Sequence, residues 1–293
     1  MKKIALLFLT IDNHNKPNIW ELFFKNSKSN YNIYCHPKYP DKTSDSFLKD
    51  NIIPRLSETK WGKLVLGYYE LLNEAIKNKD NYKFVFVSNS CIPLKNSEYI
   101  YNELTKDDCT YIDSDNKMTK WDVENRFNKF KSQLNTFGIN ENNYIKHSGW
   151  FVLNRYHSEL LIRKQEQFKF FNKIPAGDEH FLSILKANNM KLTNNTITYV
   201  EWNKEAYPNY MKFKTQLWKK YDSSSNTMDK KQILKLINSE KKKAMDISSH
   251  PITFKIITKD HLNDLDKNNY LFIRKIAKES DISSVINSIK SSL

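Results

Sequence analysis

Three short segments carry the side chains that could do chemistry. "IPAGDEHFL" sets two acids side by side, Asp178 and Glu179, behind a Pro-Ala-Gly turn and ahead of an apolar run. A carboxylate held ionised there can take a proton from a hydroxyl. The first turn of a helix would help to hold it ionised, through free amide N–H groups and the helix dipole. The same spacing fits an ordinary helix start, with Asp178 as N-cap and Glu179 in solvent. "YLFIRKI" places Arg274 and Lys275 together on a strand, where they either meet an anion or simply flank the strand in a lysine-rich chain. "FVFVSNSCIPL" runs four apolar residues, Phe84 to Val87, into Ser88-Asn89-Ser90, and Pro93 forbids simple continuation. In an open α/β sheet, ligands sit outside the carboxyl ends of such strands, so this uncharged tip is expected to face one. Hydroxyl and amide groups can bond a ribose or a phosphate, but they are poor ligands for Mg²⁺ or Mn²⁺. A literal Asp-x-Asp does occur, Asp113 and Asp115 in "YIDSDN". It follows a different strand and reads either as a cation site or as a hydrated turn.

The elements that must position these groups alternate along the first half. "KIALLFLT", "YNIYCH", "YKFVFVS" and "CTYIDSD" read as strands. Between them "PNIWELFFKN", "GKLVLGYYELLNEAIKN" and "NSEYIYNELTK" read as helices, the first with Pro17 near its start and the last capped by Asn96 or Ser97. Such alternation implies an α/β fold with a mostly parallel sheet covered by helices on both faces. The second half is less regular: a strand at "HSGWFVLNR", helices at "HSELLIRKQEQFKFF" and "DEHFLSILKAN", and a strand at "TNNTITYVEW". Residues 204–247 form a polar insertion with an amphipathic helix at "MDKKQILKLINSEKKKAM", and "DISSVINSIKSSL" ends the chain as a packing helix.

Composition removes several classes. The chain has 293 residues but only 5 glycines, and neither GxGxxG nor GxxxxGK[ST] occurs, so dinucleotide and P-loop readings fail. The net charge of +14 suggests nucleic acid, yet only five of the 47 basic residues are arginine and the lysines are spread along the chain. A nucleic-acid partner is therefore not expected. Cys35, Cys91 and Cys109 form no CxxC and no paired spacing, which indicates neither zinc nor a disulfide framework. The apolar run "IALLFL" is too short to span a membrane or to act as a full signal-peptide core, so a cytoplasmic protein without a membrane span is expected.

Five blocks, "FVSNSCIPL", "HSGWFVLNR", "PAGDEHFLSIL", "ITYVEWN" and "SHPITF…YLFIRKI", lie in the order and spacing of the core-2/I-branching glycosyltransferases, glycosyltransferase family 14. Together with "LLFLT", "YNIYCH" and Trp61-Gly62, this resemblance runs from about residue 4 to 278. It implies a GT-A-type fold, a Rossmann-like nucleotide half joined to an acceptor half. On this frame, residues 1–280 form one catalytic domain, with 1–115 as the nucleotide-sugar half and 116–280 as the acceptor half, and 281–293 are a helical tail. The resemblance also implies inverting transfer from a UDP-sugar, most simply UDP-GlcNAc, to a carbohydrate hydroxyl without a divalent metal or other cofactor.

By the same resemblance Glu179 is the catalytic base, and Lys275 with Arg274 stabilises the departing diphosphate. Ser88, Asn89 and Ser90 then contact the nucleotide sugar, with Thr10, His36 and Trp61 around the uridine. Lys146, His147, Trp150, Asp178 and Trp202 line the acceptor side, the two tryptophans as faces on which sugar rings stack. Two positions depart from the family. The second basic residue expected upstream falls at or near Ile252, so Arg274 or His250 must replace it. In the xylosyltransferases of the family a second acid precedes the Trp-Phe pair, and here that position is Gly149. The alternatives are a UDP-xylose donor, or a glycan-binding protein on the same fold without activity.

Overall fold

The computed structural model describes residues 1–25, 28–114, 118–203 and 205–292. Eleven strands occur among them: β1 (Lys3–Thr10), β2 (Tyr31–Pro37), β3 (Asn81–Ser88), β4 (Ile92–Pro93), β5 (Tyr111–Ile112), β6 (Val152–Asn154), β7 (Thr193–Asn194), β8 (Thr198–Val200), β9 (Phe254–Ile256), β10 (Phe272–Arg274) and β11 (Ile276–Asp281). Six of them form the main sheet in the order β2-β1-β3-β6-β5-β7. β1 pairs in parallel with β2 and β3, β5 in parallel with β7, and β6 runs antiparallel between β3 and β5. This is the mostly parallel α/β sheet that the alternation of elements implies, and it is consistent with the GT-A-type fold that the resemblance implies.

Strand periodicity sorts the core. Ile4, Leu6 and Phe8 of β1, with Val85 and Val87 of β3, point into one apolar cluster beneath the helices Pro17–Phe24 and Ser97–Thr105. Ala5, Leu7, Leu9, Phe84 and Phe86 point the other way, against Val65–Ala75, Arg155–Arg163 and Gln165–Phe170. Because both faces are covered, β1 and β3 read as continuous apolar runs rather than alternating ones. Pro17 opens its helix, where a missing N–H is harmless. Asn96 caps the helix Ser97–Thr105 by accepting from the Tyr99 N–H at 2.8 Å. Ile282, Val285 and Ile289 of the C-terminal segment are buried in the first cluster, so the tail helix Ser283–Ser291 packs against the core.

Three segments differ from the sequence expectations. Sequence pattern alone assigns no element between Asp115 and His147, and the chain there folds as a helical run over Lys120–Thr136 with a π-helical turn at Val123–Phe127. Thr119 and Asp122 open it with a capping box. The helix expected from Asp178 starts only at Ser183 and spans Ser183–Ala187, while Gly177–Glu179 is a single 3₁₀ turn. Its geometry is imposed by packing: Ala176 adopts left-handed φ of 48°, and a Cβ on Gly177 would overlap the Phe171 carbonyl oxygen. The polar insertion is two packed helices, Ala206–Ser223 and Thr227–Ser249, rather than one helix in irregular chain. No helix among the described residues is long and apolar enough to cross a membrane.

Candidate active site

The antiparallel placement of β6 decides what meets at the carboxyl edge of the sheet. β1 ends there at Thr10 and β3 at Ser88, while β6 begins there, so Ser148, Gly149 and Trp150 arrive beside them. The Ser148 N–H donates to the Asp113 carbonyl at 2.9 Å and the Phe86 N–H to the Phe151 carbonyl at 3.2 Å. A three-stranded sheet, β4-β10-β8, closes the edge and delivers Arg274 next to Cys91.

The Ser88-Asn89-Ser90 tip does not present its hydroxyls as expected. Ser88 and Ser90 are buried, with their Oγ atoms 3.1 Å apart and Ser88 Oγ also 3.2 Å from Cys91 Sγ. The turn closes through Cys91 N–H to Ser88 O at 3.1 Å and is pinned by Ile276 N–H to Ser90 O at 3.0 Å, which points both hydroxyls inward. Asn89 is half-buried, and its Nδ2 donates to Asn15 Oδ1 at 3.2 Å. Thr10 is buried with its hydroxyl 3.8 Å from Cys35 Sγ. His36 is fully buried; its Nε2 accepts from the Ser57 N–H at 2.9 Å and its Nδ1 has no partner. Burial lowers its pKa, so this ring is neutral.

Arg274 is not a surface cation flanking a strand. Its guanidinium lies 3.9 Å from the centre of the Trp150 ring, and its Nε is buried without a partner. Burial pulls its pKa down, while the Cys91 thiol and Tyr68 hydroxyl oppose that shift. Among the described residues no carboxylate pairs with it. Lys275 follows, half-buried, with its carbonyl accepting from the Phe254 N–H at 2.9 Å. One face of Trp150 is thereby engaged by a cation. At position 252 the isoleucine holds backbone only, donating its N–H to Glu201 O at 2.8 Å.

Glu179 is partly exposed and stands between two cations. Its Oε2 lies 3.7 Å from Arg126 Nη1 and 3.9 Å from Lys146 Nζ. Lys146 also approaches Asp122 at 3.8 Å. Arg126 is held more tightly elsewhere: its Nη1 lies 2.7 Å from Asp122 Oδ1 and 2.7 Å from His180 Nε2, under the Trp121 ring. His180 stacks on Tyr144 and gives its other ring nitrogen to Ile145 O at 2.9 Å; burial pushes its pKa down to about 3. Desolvation raises the Glu179 pKa above the ordinary carboxylate range, and Lys146 and Arg126 restrain the rise. His147, expected to line the acceptor side, is instead a buried strut. Its Nδ1 donates to Ser148 O at 2.8 Å and its Nε2 accepts from the Leu182 N–H at 3.3 Å, and burial lowers its pKa to about 4.

Asp178 turns the other way. It is 8 % exposed, its Oδ1 has no partner, and burial raises its pKa to about 6 against the hydrogen bonds from its own N–H and that of Leu64. It is therefore not the helix N-cap that spacing suggested. The loop carrying Leu64 lies along this turn: Lys63 Nζ donates to Asn172 O at 2.6 Å, and an added Cβ on Gly62 would sit 3.7 Å from Ala176 N. Trp61, assigned above to the uridine pocket, is 78 % exposed on the same loop, edge-on to His250 at 6.2 Å. Trp202 is also exposed and bridges to Pro251. Tyr68, whose hydroxyl donates to Gly149 O at 3.2 Å, feels the charges of Asp178, Arg274 and Glu179 together.

Sequence reasoning missed Arg126, Asp122, Lys63 and Tyr68. Only the first two left a signal, an acid and an arginine four residues apart on one helical face. For the Asp-x-Asp reading, Asp115 lies outside the described residues, and among those described no cluster of His, Cys, Asp and Glu has the makings of a metal site.

Two comparisons bear on this arrangement. Glycosyltransferase BC10 of Oryza sativa subsp. japonica is 24 % identical over 237 residues, which cover 68 % of this chain and 57 % of the rice protein. The chain thus spans less than two thirds of that relative's length. The family model described as Core-2/I-Branching enzyme matches residues 4–227, most of the chain, including Glu179 and Trp202 but not Arg274 and Lys275, and the chain belongs to that family.

Proposed function

We propose that the chain is an inverting glycosyltransferase that moves a sugar, GlcNAc in the simplest case, from a UDP-sugar to a carbohydrate hydroxyl without a divalent metal. The observation that carries this reading is Arg274, whose guanidinium lies against Trp150 with its Nε buried and with no carboxylate paired to it among the described residues. Removing such a charge from water is unfavourable by several kcal/mol unless an anion arrives, and a diphosphate supplies one. Fixed cations aimed at a leaving diphosphate stabilise the charge that grows there as the glycosidic bond breaks. Lys275 adds a second one. Glu179 takes the proton from the attacking hydroxyl, whose oxygen bonds to the anomeric carbon on the face opposite UDP. Trp202 offers an exposed face to the acceptor. Gly149 speaks against the xylosyl alternative: it stands where that branch of the family has an acid, and an added Cβ would sit 2.8 Å from the Tyr68 hydroxyl.

The test is UDP release from a panel of UDP-sugars, with and without a glycan acceptor, in EDTA and in added Mn²⁺. One donor should turn over in EDTA. Glu179→Gln should lower the transfer rate roughly a hundred- to ten-thousand-fold, the usual share of a general base, and leave UDP binding by calorimetry intact. Turnover that appears only with Mn²⁺, or a Glu179→Gln enzyme as fast as wild type, refutes the mechanism.

A further inference from the structure

The helices Ala206–Ser223 and Thr227–Ser249 pack on each other through Tyr210, Leu217, Ile237 and Ala244, joined by three residues, of which Asn226 caps the second helix through the Met228 N–H at 2.8 Å. The rest of their surface is unusual in two ways. Residues 206–249 hold ten lysines against four acids and no arginine. They also carry five of the fourteen large hydrophobic side chains exposed among the described residues, although they are only about a seventh of the chain: Met211, Trp218, Met228, Leu236 and Ile247. A merely solvated charged face would not need these apolar groups in water. The family match stops at residue 227, so the second helix lies almost wholly beyond it.

We propose that this hairpin is a docking surface for an anionic lipid bilayer. Lysines on long apolar stems, interspersed with exposed Trp, Leu and Met, suit the headgroup boundary: the stems and apolar groups enter it while the ammonium groups stay at the phosphates. An anionic leaflet attracts each such lysine. Nucleic acid fits less well, since the hairpin lacks arginine and its exposed groups are mostly aliphatic. Its root is the rim of the acceptor side. Trp202 bridges Pro251, Ile252 N–H bonds Glu201 O at 2.8 Å, and His250 meets Trp61. A hairpin lying on the membrane therefore holds that rim near lipid, where an acceptor carried on a lipid would be presented. The binding itself does not depend on the transferase reading.

Co-sedimentation tests it, using the full chain with vesicles of phosphatidylcholine alone and of phosphatidylcholine and phosphatidylglycerol in equal parts. Wild type should sediment with the anionic vesicles only and be released by salt. Lys219→Glu/Lys220→Glu and Lys241→Glu/Lys242→Glu should each weaken partitioning at least several-fold, and Trp218→Ser should do so at unchanged net charge. Lys129→Glu/Lys131→Glu, exposed on the helix Asn128–Thr136, should bind as wild type does. Circular dichroism confirms folding of every variant. No binding to anionic vesicles, or equal losses from the hairpin and control pairs, overturns the proposal. So does retention on duplex DNA in place of vesicles.

Discussion

Asp178→Asn should make the protein more stable, by an amount that grows with pH. The Asp178 carboxyl is buried, one of its oxygens lacks any partner, and its pKa is about 6 in the folded chain against 3.8 when exposed. A raised carboxyl pKa means that the unfolded chain releases this proton first. Stability is therefore unaffected well below 3.8, falls as pH rises between the two values, and levels off above 6. A gap of about two pKa units corresponds to roughly 3 kcal/mol at neutral pH and about half of that near pH 5. Asparagine keeps the shape and an oxygen that can accept the N–H groups of residues 178 and 64, and it has no charge to desolvate. Urea denaturation of wild type and Asp178→Asn at about pH 5 and about pH 7 reads the effect directly. The gain should be between about 1 and 3 kcal/mol at neutral pH and smaller in acid. A gain of equal size at both pH values, or a loss at neutral pH, refutes the assignment of a desolvated, titrating carboxyl to this position.

Gly177→Ala places a methyl group on the Phe171 carbonyl oxygen, a backbone atom that cannot rotate away. It should destabilise the fold by about 2–3 kcal/mol or more in urea melts and shift Glu179 out of line; melting at the wild-type midpoint counts against the packing described for this turn. Lys146→Met removes one of the two cations that restrain the raised pKa of Glu179. The acid limb of the kcat/KM profile should therefore move to higher pH, with the neutral-pH plateau reached later. An unmoved limb means that Glu179 is not the group titrating there.

Much of the frame was legible because it follows from local pattern. Runs such as "IALLFL" and "FVFV" are apolar throughout because both faces of the sheet are covered, and Pro17 and Asn96 act at helix starts by contacts within one turn. What stayed hidden depends on partners distant in sequence. Nothing within "SNS" tells that Ile276, nearly two hundred residues away, pins the turn so that both serine hydroxyls face inward. Helical spacing through "PAGDEHFLSIL" is genuine, yet the contact of Gly177 with Phe171 breaks it into a 3₁₀ turn before Ser183. Arg126 offered only its pairing with Asp122. Its position beside Glu179 comes from the packing of one segment on another.

Adjacent acids of the same intrinsic strength can be assigned different tasks by their surroundings. Asp178 points into the loop of Lys63 and Leu64, where burial favours its neutral form. Glu179 lies beside Lys146 and Arg126, which favour its ionised form. The detail that matters for a base is what those cations leave free. Arg126 Nη1 has two hydrogens, and Asp122 and His180, both at 2.7 Å, take them. His180 can accept one only because burial keeps its ring neutral. At 3.7 and 3.9 Å the two cations act on Glu179 through their field and not as hydrogen-bond donors. On the proposed mechanism, its oxygens keep lone pairs for an incoming hydroxyl while the charge needed to receive that proton is maintained. Were either cation a full hydrogen bond closer, the carboxylate would be a structural ion pair and a weaker base.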